Sequence, residues 1–184
     1  MTDPHLLSRI EQFGKACCDQ YAGDPGLWQN HVQRVRQFAV QLAGIEGADP
    51  QVVEIAALLH DIGCYKDREE HHVWSFSLSR EFLKTTDLPE AAQELILECV
   101  WKHRTRFSME DNRIEVKVVQ SADALGTLFD DEWQEHSRRT MSRETLLQLY
   151  EKALGKINLE SAKRIARPQV EKLISMLESE ISPT

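Results

Sequence analysis

The sequence of 184 residues lacks any run of about 18 uncharged apolar residues, the length that a membrane-spanning helix requires. Its N-terminus, MTDPHLLSRIEQ, lacks the basic and apolar regions of a signal peptide, so we expect a cytoplasmic protein without a membrane segment. Cysteine is scarce: Cys17, Cys18, Cys64 and Cys99 show no CxxC spacing and are too few for a disulfide scaffold. We expect reduced thiols, and a metal site built from other ligands.

Positive charge is also in deficit, since 22 Lys and Arg residues face 30 Asp and Glu residues, for a net charge of −8. Broad nucleic-acid binding is therefore not expected, because it depends on many basic side chains neutralising phosphates. Two short basic clusters could still give an anionic substrate a local positive site, although such clusters are often solvated helix ends. They are Lys102, Arg104 and Arg106 in WKHRTR, and Arg138 with Arg139.

Strand patterns are missing as well, because nearly every segment places its apolar residues at helical spacing. The length and average composition predict one all-α domain with its own core. The predicted helices are 4–21, 27–46, 50–62, 70–86, 89–103, 112–129, 142–154 and 159–181. The polar stretch 130–140 is predicted to be a connection, and Gly63 to be the residue that ends the helix 50–62.

Four helices each carry one titratable side chain on the apolar stripe that should face the core. His31 lies four residues before Val35, and His60 lies four residues after Ala56. The other two are Asp123, at plus seven and plus four from Val116 and Val119, and His103, at the end of the stripe Ala92, Ile96, Cys99 and Val100. A single histidine in such a position is more often a hydrogen-bonded core residue than a ligand, whereas an unpaired buried carboxylate is costly.

The convergence of these side chains predicts a shared cation near the carboxyl end of helix 50–62. Its ligands would be His31, His60, Asp61 and Asp123, if the ion lies between the directions of His60 and Asp61, which differ by about 100° around the helix. This sulfur-free set of nitrogen and oxygen atoms suits Mn²⁺, Fe²⁺, Co²⁺, Ni²⁺ or Zn²⁺. Four protein ligands on an octahedral ion leave two positions for water or substrate, as in a catalytic site.

The order of these ligands falls within a longer pattern: NHxxRV at 30–35, ALLHDIG at 57–63 with Lys66 after it, and VVQSADAL at 118–125. This pattern resembles the HD superfamily of metal-dependent phosphohydrolases. The stretch YEKALGKINLESAKRIARPQVEKLISMLESE is similar to the C-terminal helices of its small bacterial stand-alone members. The resemblance implies a single HD domain over 1–184, a helical bundle with a core at about 25–130, on which an N-terminal helix at about 4–21 and C-terminal helices at about 142–181 pack.

The resemblance also implies a divalent ion (Mn, Fe, Co, Ni, Zn or Mg) and hydrolysis of a phosphate ester or anhydride in a small substrate such as a nucleotide. His71 or His72 and His103 match positions where many members keep further histidines, which bind a second ion in some subgroups; we favour one ion here. Ser121 and Ala124 replace the Asp and Arg of a QDADRL pattern, and Cys64 replaces a glutamate used by one nucleotidase branch.

The expected mechanism is metal-assisted attack of water on a phosphoryl group. Asp61 would orient the water, and His71, His72 and His103 would carry a proton or bind a phosphate oxygen. Lys66 would contact the substrate phosphate as a point charge, and Arg104 and Arg106 would offer guanidinium groups. Each of these side chains could instead be an ordinary solvated group, or could contact the metal ligands without touching the ion or the substrate.

Several alternatives stay open. The bundle could be a sensor that retains its metal and binds nucleotides without turnover, a hypothesis that Ser121 and Ala124 motivate. The four proposed ligands could merely clip helices together, in which case chelation lowers the melting temperature and substrates have no effect. A di-iron oxygenase is a further possibility because of the extra histidines. The amphipathic terminal helices could pack on the bundle or form a homodimer, and the pattern alone does not separate these.

Overall fold

Nine α-helices account for most of residues 4–179, the part of the chain that the computed structural model describes. They are α1 (Pro4–Cys18), α2 (Gln33–Glu46), α3 (Pro50–Leu59), α4 (His71–Leu83), α5 (Glu90–Lys102), α6 (Ile114–Leu128), α7 (Asp131–Thr140), α8 (Arg143–Lys156) and α9 (Glu160–Ser179). A π-helical turn, Leu27–Val32, leads directly into α2, and a 3-10 turn, Thr105–Phe107, follows α5. No strand occurs in this range, which confirms the all-α prediction, and none of its helices is long and apolar enough to cross a membrane.

The centre of the bundle is α3, whose side chains from Val52 to Leu59 are almost all buried. Helix α2 packs against both α3 and α6, while α5 covers another side of α3 and α4 packs on α5. The terminal helices close the bundle: α1 lies on α3, and α8 and α9 lie on α6. Because α2, α3, α5 and α6 surround one core, polar side chains at their ends can meet at one point.

Several helix starts follow the sequence signals. The side chain of Asp49 accepts hydrogen bonds from the backbone N–H groups of Gln51 and Val52, and Pro50 occupies the first helical position of α3. Ser142 caps α8 in the same way by accepting from Thr145 N–H. Positions 180 and 181, the last two of the predicted C-terminal helix, lie outside the described residues.

The predicted connection at 130–140 is wrong, because Asp131–Thr140 is the helix α7. Asp130 caps it by accepting from Trp133 N–H, and acidic residues in the first turn and basic residues in the last turn suit the helix dipole. Its buried face consists of the polar residues Gln134 and Ser137. Trp133 is the one large apolar residue of α7, so the segment lacks the apolar stripe by which the other helices are predicted.

Gly63 does not end α3 in a left-handed conformation, since Gly47 is the one residue with positive φ among those described. The turn that contains Gly63 instead packs closely on the start of α4. Gly63 N–H donates to Ser75 Oγ at 2.9 Å, and a Cβ atom at Gly63 would lie 2.4 Å from the carbonyl oxygen of His71. Glycine is required at this position by close approach, not by its backbone angles.

Candidate metal centre

The four predicted ligands meet at one end of the bundle. His31 comes from the π-helical turn, His60 and Asp61 follow α3, and Asp123 lies on α6. His31 Nε2 is 3.1 Å from Asp123 Oδ1 and 3.3 Å from His60 Nε2. Asp61 Oδ2 lies 3.7 Å from the Nε2 atoms of both histidines. Ligand atoms of His31, His60 and Asp61 therefore lie close enough together to hold one ion.

A second group of nitrogen atoms lies on the other side of Asp61. His71, the first residue of α4, and His103, just after α5, place their Nε2 atoms 2.9 Å apart. Asp61 Oδ1 is 3.1 Å from His71 Nε2 and 3.6 Å from His103 Nε2. The two oxygens of one carboxylate thus face two pairs of imidazoles, a geometry in which Asp61 can bridge two cations.

The orientation of the imidazoles indicates what these pairs can bind. The Nδ1 atoms of His60, His71 and His103 each donate to the backbone carbonyl three residues earlier. The acceptors are Ala57 at 2.8 Å, Arg68 at 2.7 Å and Val100 at 2.6 Å. In the neutral imidazole these bonds leave a lone pair on Nε2, so that lone pairs face each other between His71 and His103. Such a pair is stable only with a cation or a proton between its members, and the donor set fits a divalent metal ion.

The carboxylates of the site are held in the ionised form. Burial alone would raise the pKa of Asp123, but the Lys156 ammonium and His31 outweigh it and hold that pKa well below its usual value. Burial is likewise outweighed at Asp61, where the neighbouring imidazoles of His60 and His71 and the guanidinium of Arg68 keep the pKa well below its usual value. Two anionic groups in a buried site favour a bound cation.

The histidines respond in different directions. Burial works to lower the pKa of His31, yet the hydrogen bond and the charge of Asp123 raise it above its usual value. Burial lowers the pKa of His60, and it lowers the pKa of His103 well below the usual range. His60 and His103 are therefore neutral near pH 7, the form in which an imidazole binds a metal ion.

A cavity of about 530 Å³ opens beside this cluster, lined by His31, Asp61, His71, His103 and Asp123. Five basic residues line it as well: Arg68, Arg104, Arg106, Lys152 and Lys156. Its apolar wall comes mainly from Leu27, Ala124, Leu128, Trp133, Leu149 and Tyr150. A protein with a net charge of −8 thus concentrates positive charge next to the candidate metal centre.

The profile of the HD domain family matches residues 28–128, more than half of the chain. This segment carries all six residues of the candidate metal centre: His31, His60, Asp61, His71, His103 and Asp123. The chain belongs to the HD domain family. No curated protein matches the sequence significantly. Among solved structures, a predicted HD superfamily hydrolase from an uncultured Thermotogales bacterium is similar, with a TM-score of 0.69 and 20% identity over 97% of this chain and 92% of that one.

Bacillus subtilis YpgQ is similar too, at 24% identity over 98% of both chains with a TM-score of 0.65. A structure of YpgQ in complex with ADP covers 94% of this chain and 97% of its own, with a TM-score of 0.59. These likenesses extend over the helices α7 to α9 as well as the HD domain. At such identities they show a shared fold.

The structure separates the two adjacent histidines of the HD domain that the sequence could not distinguish. His71 faces Asp61, whereas His72 packs against Trp101 and Phe107, with ring centroids at 5.1 and 5.8 Å. His72 is buried and does not line the cavity. Burial, together with the charges of its neighbours Arg106 and Arg104, lowers the pKa of His72 to about 4.

His72 instead holds the arginines. Arg106 donates to His72 Nε2, and Arg104 donates to the backbone carbonyl of Glu69. A guanidinium has no acceptor atom, so His72 Nε2 must carry a lone pair to accept from Arg106, and Arg104 NH1 lies 3.4 Å from the other ring nitrogen, Nδ1. The predicted proton-carrying role of His72 therefore lacks support from its position, while Arg104 and Arg106 do lie at the cavity.

Lys66 is not among the cavity residues. Its side chain is exposed, and its ammonium lies 4.9 Å from the centre of the Tyr65 ring. The prediction that Lys66 contacts substrate or takes part in catalysis thus finds no support in its position, because it occupies the surface side of the turn. We leave Lys66 out of the proposed site.

Two basic residues of the site were missed at the sequence level. Arg68 NH1 lies 3.7 Å from Asp61 Oδ2 and donates to Cys64 Sγ at 3.2 Å. Lys156, the last residue of α8, places its ammonium against Asp123 Oδ2. Nothing in the spacing singles out Arg68, and Lys156 lies more than 30 positions from Asp123, so only the tertiary fold brings them to the site.

The structure also shows where the three residues that depart from the family pattern lie, namely Cys64, Ser121 and Ala124. Cys64 is buried and has one ligand atom within 4.8 Å of those of Asp61 and His71. Ala124 lies on the cavity wall, next to Asp123. Ser121 is fully buried, and its hydroxyl has no hydrogen-bond partner among the described residues. Of these three departures from the family pattern, Ala124 is thus the one that lies on the cavity wall.

Proposed function

We propose that this HD domain protein is a metal-dependent phosphohydrolase that cleaves a phosphate ester or anhydride bond in a small molecule, with a nucleotide as the preferred substrate class. One observation carries the proposal: two sets of imidazole Nε2 atoms face the two oxygens of Asp61 beside a cavity that several basic side chains line. The imidazole and carboxylate donors suit divalent metals, and the basic side chains suit phosphoryl oxygens.

The ligands divide into two sets. His31, His60, Asp61 and Asp123 would hold one ion, and His71 and His103 would hold a second that Asp61 bridges. The sequence favoured one ion with further histidines behind it, and the facing Nε2 atoms of His71 and His103 support the two-ion alternative. A divalent ion bound there supplies a Lewis acid that lowers the pKa of a coordinated water and offsets phosphoryl charge.

The side chains of the chain itself do the remaining work. Asp61, ionised and flanked by imidazoles, can accept a hydrogen bond from the attacking water and so orient it. Arg68, Arg104 and Arg106 line the cavity and can donate to phosphoryl oxygens. Arg104 and Arg106 are already anchored by Glu69 and His72, so less side-chain entropy is lost when an anion binds.

The apolar wall of the cavity supports a nucleotide over a bare phosphoryl compound. Trp133, Leu149 and Tyr150 line the same cavity as the basic residues, so one ligand can place an aromatic base and a phosphate chain in contact with suitable partners. The ADP complex of YpgQ, a protein of the same fold, agrees with this assignment.

Elemental analysis of the purified protein, followed by a phosphatase panel in the metal found, tests the site and the reaction together. The panel should contain nucleoside mono-, di- and triphosphates and simple phosphoesters, with Mn²⁺, Co²⁺, Ni²⁺ and Mg²⁺ as added metals. We expect release of phosphate or pyrophosphate by wild type and none by Asp123→Asn. Intact metal binding with no release from any compound would refute the hydrolase.

The same measurements separate the alternatives. Tight nucleotide binding, seen as a rise in melting temperature without turnover, would favour the sensor. Ala124 motivates this alternative, because it lines the cavity where the family pattern has an arginine. A strong fall in melting temperature on chelation, with no effect of any substrate, would favour a structural clip. Two bound irons per chain with oxygen consumption would favour the di-iron oxygenase.

A further inference from the structure

Lys156 holds the most buried ammonium group at the cavity, with a side chain only 10% exposed. It ends α8 and contacts Oδ2 of Asp123, while Oδ1 of the same carboxylate lies 3.1 Å from His31 Nε2. Lys156 and His31 therefore contact the two different oxygens of the Asp123 carboxylate. An ammonium there lies next to the place where a phosphoryl oxygen must sit to reach an ion held by Asp123.

The contacts of Lys156 leave hydrogen-bonding capacity unused. An ammonium has three N–H donors, and among residues 4–179 the structure records one acceptor for it, Asp123 Oδ2. Lys156 also lines the cavity, as does Ala124, whose small side chain adjoins Asp123 on α6. A ligand in the cavity can thus supply the acceptors that the protein does not.

A purely structural role explains the arrangement less well. Removing an ammonium and a carboxylate from water carries a desolvation cost that a single contact seldom recovers. Helix α8 is already fixed to the bundle by buried side chains such as Leu146 and by the bond from Tyr150 OH to Gln134 at 2.8 Å. The fold does not need Lys156 to hold α8 in place.

We propose that Lys156 binds a phosphoryl oxygen of the substrate, directly beside the ion that Asp123 helps to hold. This inference rests on the proposed function and adds to it a cation contributed by α8, outside the family-matched segment 28–128. Lys156 would donate its spare N–H bonds to a non-bridging oxygen, so that the ion and the ammonium share the phosphoryl charge. Through Lys156, the C-terminal helices would contribute a substrate contact to the reaction of the HD core.

The test measures binding of inorganic phosphate to the Mn²⁺-loaded full chain by titration calorimetry, which requires no turnover. Lys156→Met removes the charge at similar side-chain length, and Lys156→Arg keeps it. Lys172→Met is the control, because Lys172 is an exposed lysine on α9 that does not line the cavity. The two methionine variants change the net charge equally, and the arginine variant leaves it unchanged.

We expect Lys156→Met to weaken phosphate binding by about tenfold or more, the range of a charge-assisted hydrogen bond. Lys156→Arg should stay within about threefold of wild type, and so should Lys172→Met, since an exposed charge away from the cavity is screened by solvent. Adding methylammonium to Lys156→Ala should restore part of the lost affinity. If Lys156 only joined α8 to α6, methylammonium would not restore phosphate binding to Lys156→Ala. Lys156→Met would then also not lose phosphate affinity while still binding the same number of Mn²⁺ ions.

Wild-type phosphate affinity in a folded Lys156→Met protein, or an equal loss in Lys172→Met, would overturn the proposal. If Lys156→Met does not fold, Lys156→Arg and the amine rescue of Lys156→Ala decide the question, and failure of both overturns it. The outcome is independent of turnover: phosphate binding that depends on Lys156 supports this site even if no compound in the panel is hydrolysed.

Discussion

Gly63→Ala gives a quantitative test of how the turn after α3 is joined to α4. An added Cβ would lie 2.4 Å from His71 O, 2.5 Å from Ser75 N and 2.7 Å from Trp74 Cβ. These atoms belong to the backbone or to the base of a side chain, so none can rotate away. The methyl group must therefore push the turn that carries Asp61 away from the helix that carries His71.

The expected cost follows from the size of this overlap. Overpacking a core by one carbon typically destabilises a protein by about 1–3 kcal/mol, and rigid neighbours place this case at about 2–3 kcal/mol. For a chain of this length, each kcal/mol lowers the melting temperature by about 2–4 °C. We expect a fall of about 4–12 °C in the metal-free protein, together with weaker Mn²⁺ binding because Asp61 and His71 move apart.

Thermal unfolding followed by circular dichroism, with Gly44→Ala as the control, provides the assay. Gly44 lies in α2 and is exposed, and a Cβ atom added there would have no neighbouring atom within 4 Å. Alanine there should stabilise the helix by about 0.5–1 kcal/mol, so the same substitution has opposite signs at the two positions. A Gly63→Ala protein as stable as wild type would refute the close-packing argument.

Three further results are expected. Burial, and then two arginine neighbours, lower the pKa of His72 to about 4 from 6.5, so protonation of His72 is disfavoured in the folded state and the wild-type protein loses stability as the pH falls from 6.5 to 4. The His72→Gln variant should lose less of its unfolding free energy over this range, by up to about 3 kcal/mol at pH 4 in urea unfolding. Equal losses of unfolding free energy in the variant and the wild type would contradict this. The double variant His71→Gln, His103→Gln should reduce bound Mn²⁺ from two ions to one, whereas two retained ions exclude these ligands. Asp49→Ala should cost about 1 kcal/mol as a lost helix cap, and an unchanged melting temperature would contradict that role.

The inward-facing candidate ligands could be predicted because helical spacing fixes the direction in which each side chain points. His31 and Asp123 share the apolar stripes of their helices, and the structure places their side chains 3.1 Å apart. The choice between His71 and His72 could not be made in this way. They differ by about 100° at the start of α4, and only the neighbouring elements decide which one meets Asp61.

Other features depend on tertiary contacts that leave no local signal. Lys156 resembles an ordinary basic residue at a helix end, where the dipole favours it, and its pairing with Asp123 arises only when α8 packs on α6. Helix α7 was missed because its buried face is polar: Gln134 accepts from Tyr150 OH and donates to Thr127 O. Apart from Trp133, the segment contains none of the apolar residues whose spacing predicts the other helices.

The central claim is that Asp61 joins two sets of imidazole ligands around two divalent ions. Titration calorimetry with Mn²⁺, checked by elemental analysis after dialysis, measures the number of bound ions per chain directly. We expect two ions in wild type and severe weakening of both in Asp61→Asn, since each oxygen of this carboxylate faces one set of imidazoles. A wild-type chain that binds no Mn²⁺, or an Asp61→Asn chain that still binds two ions with unchanged affinity, would contradict it.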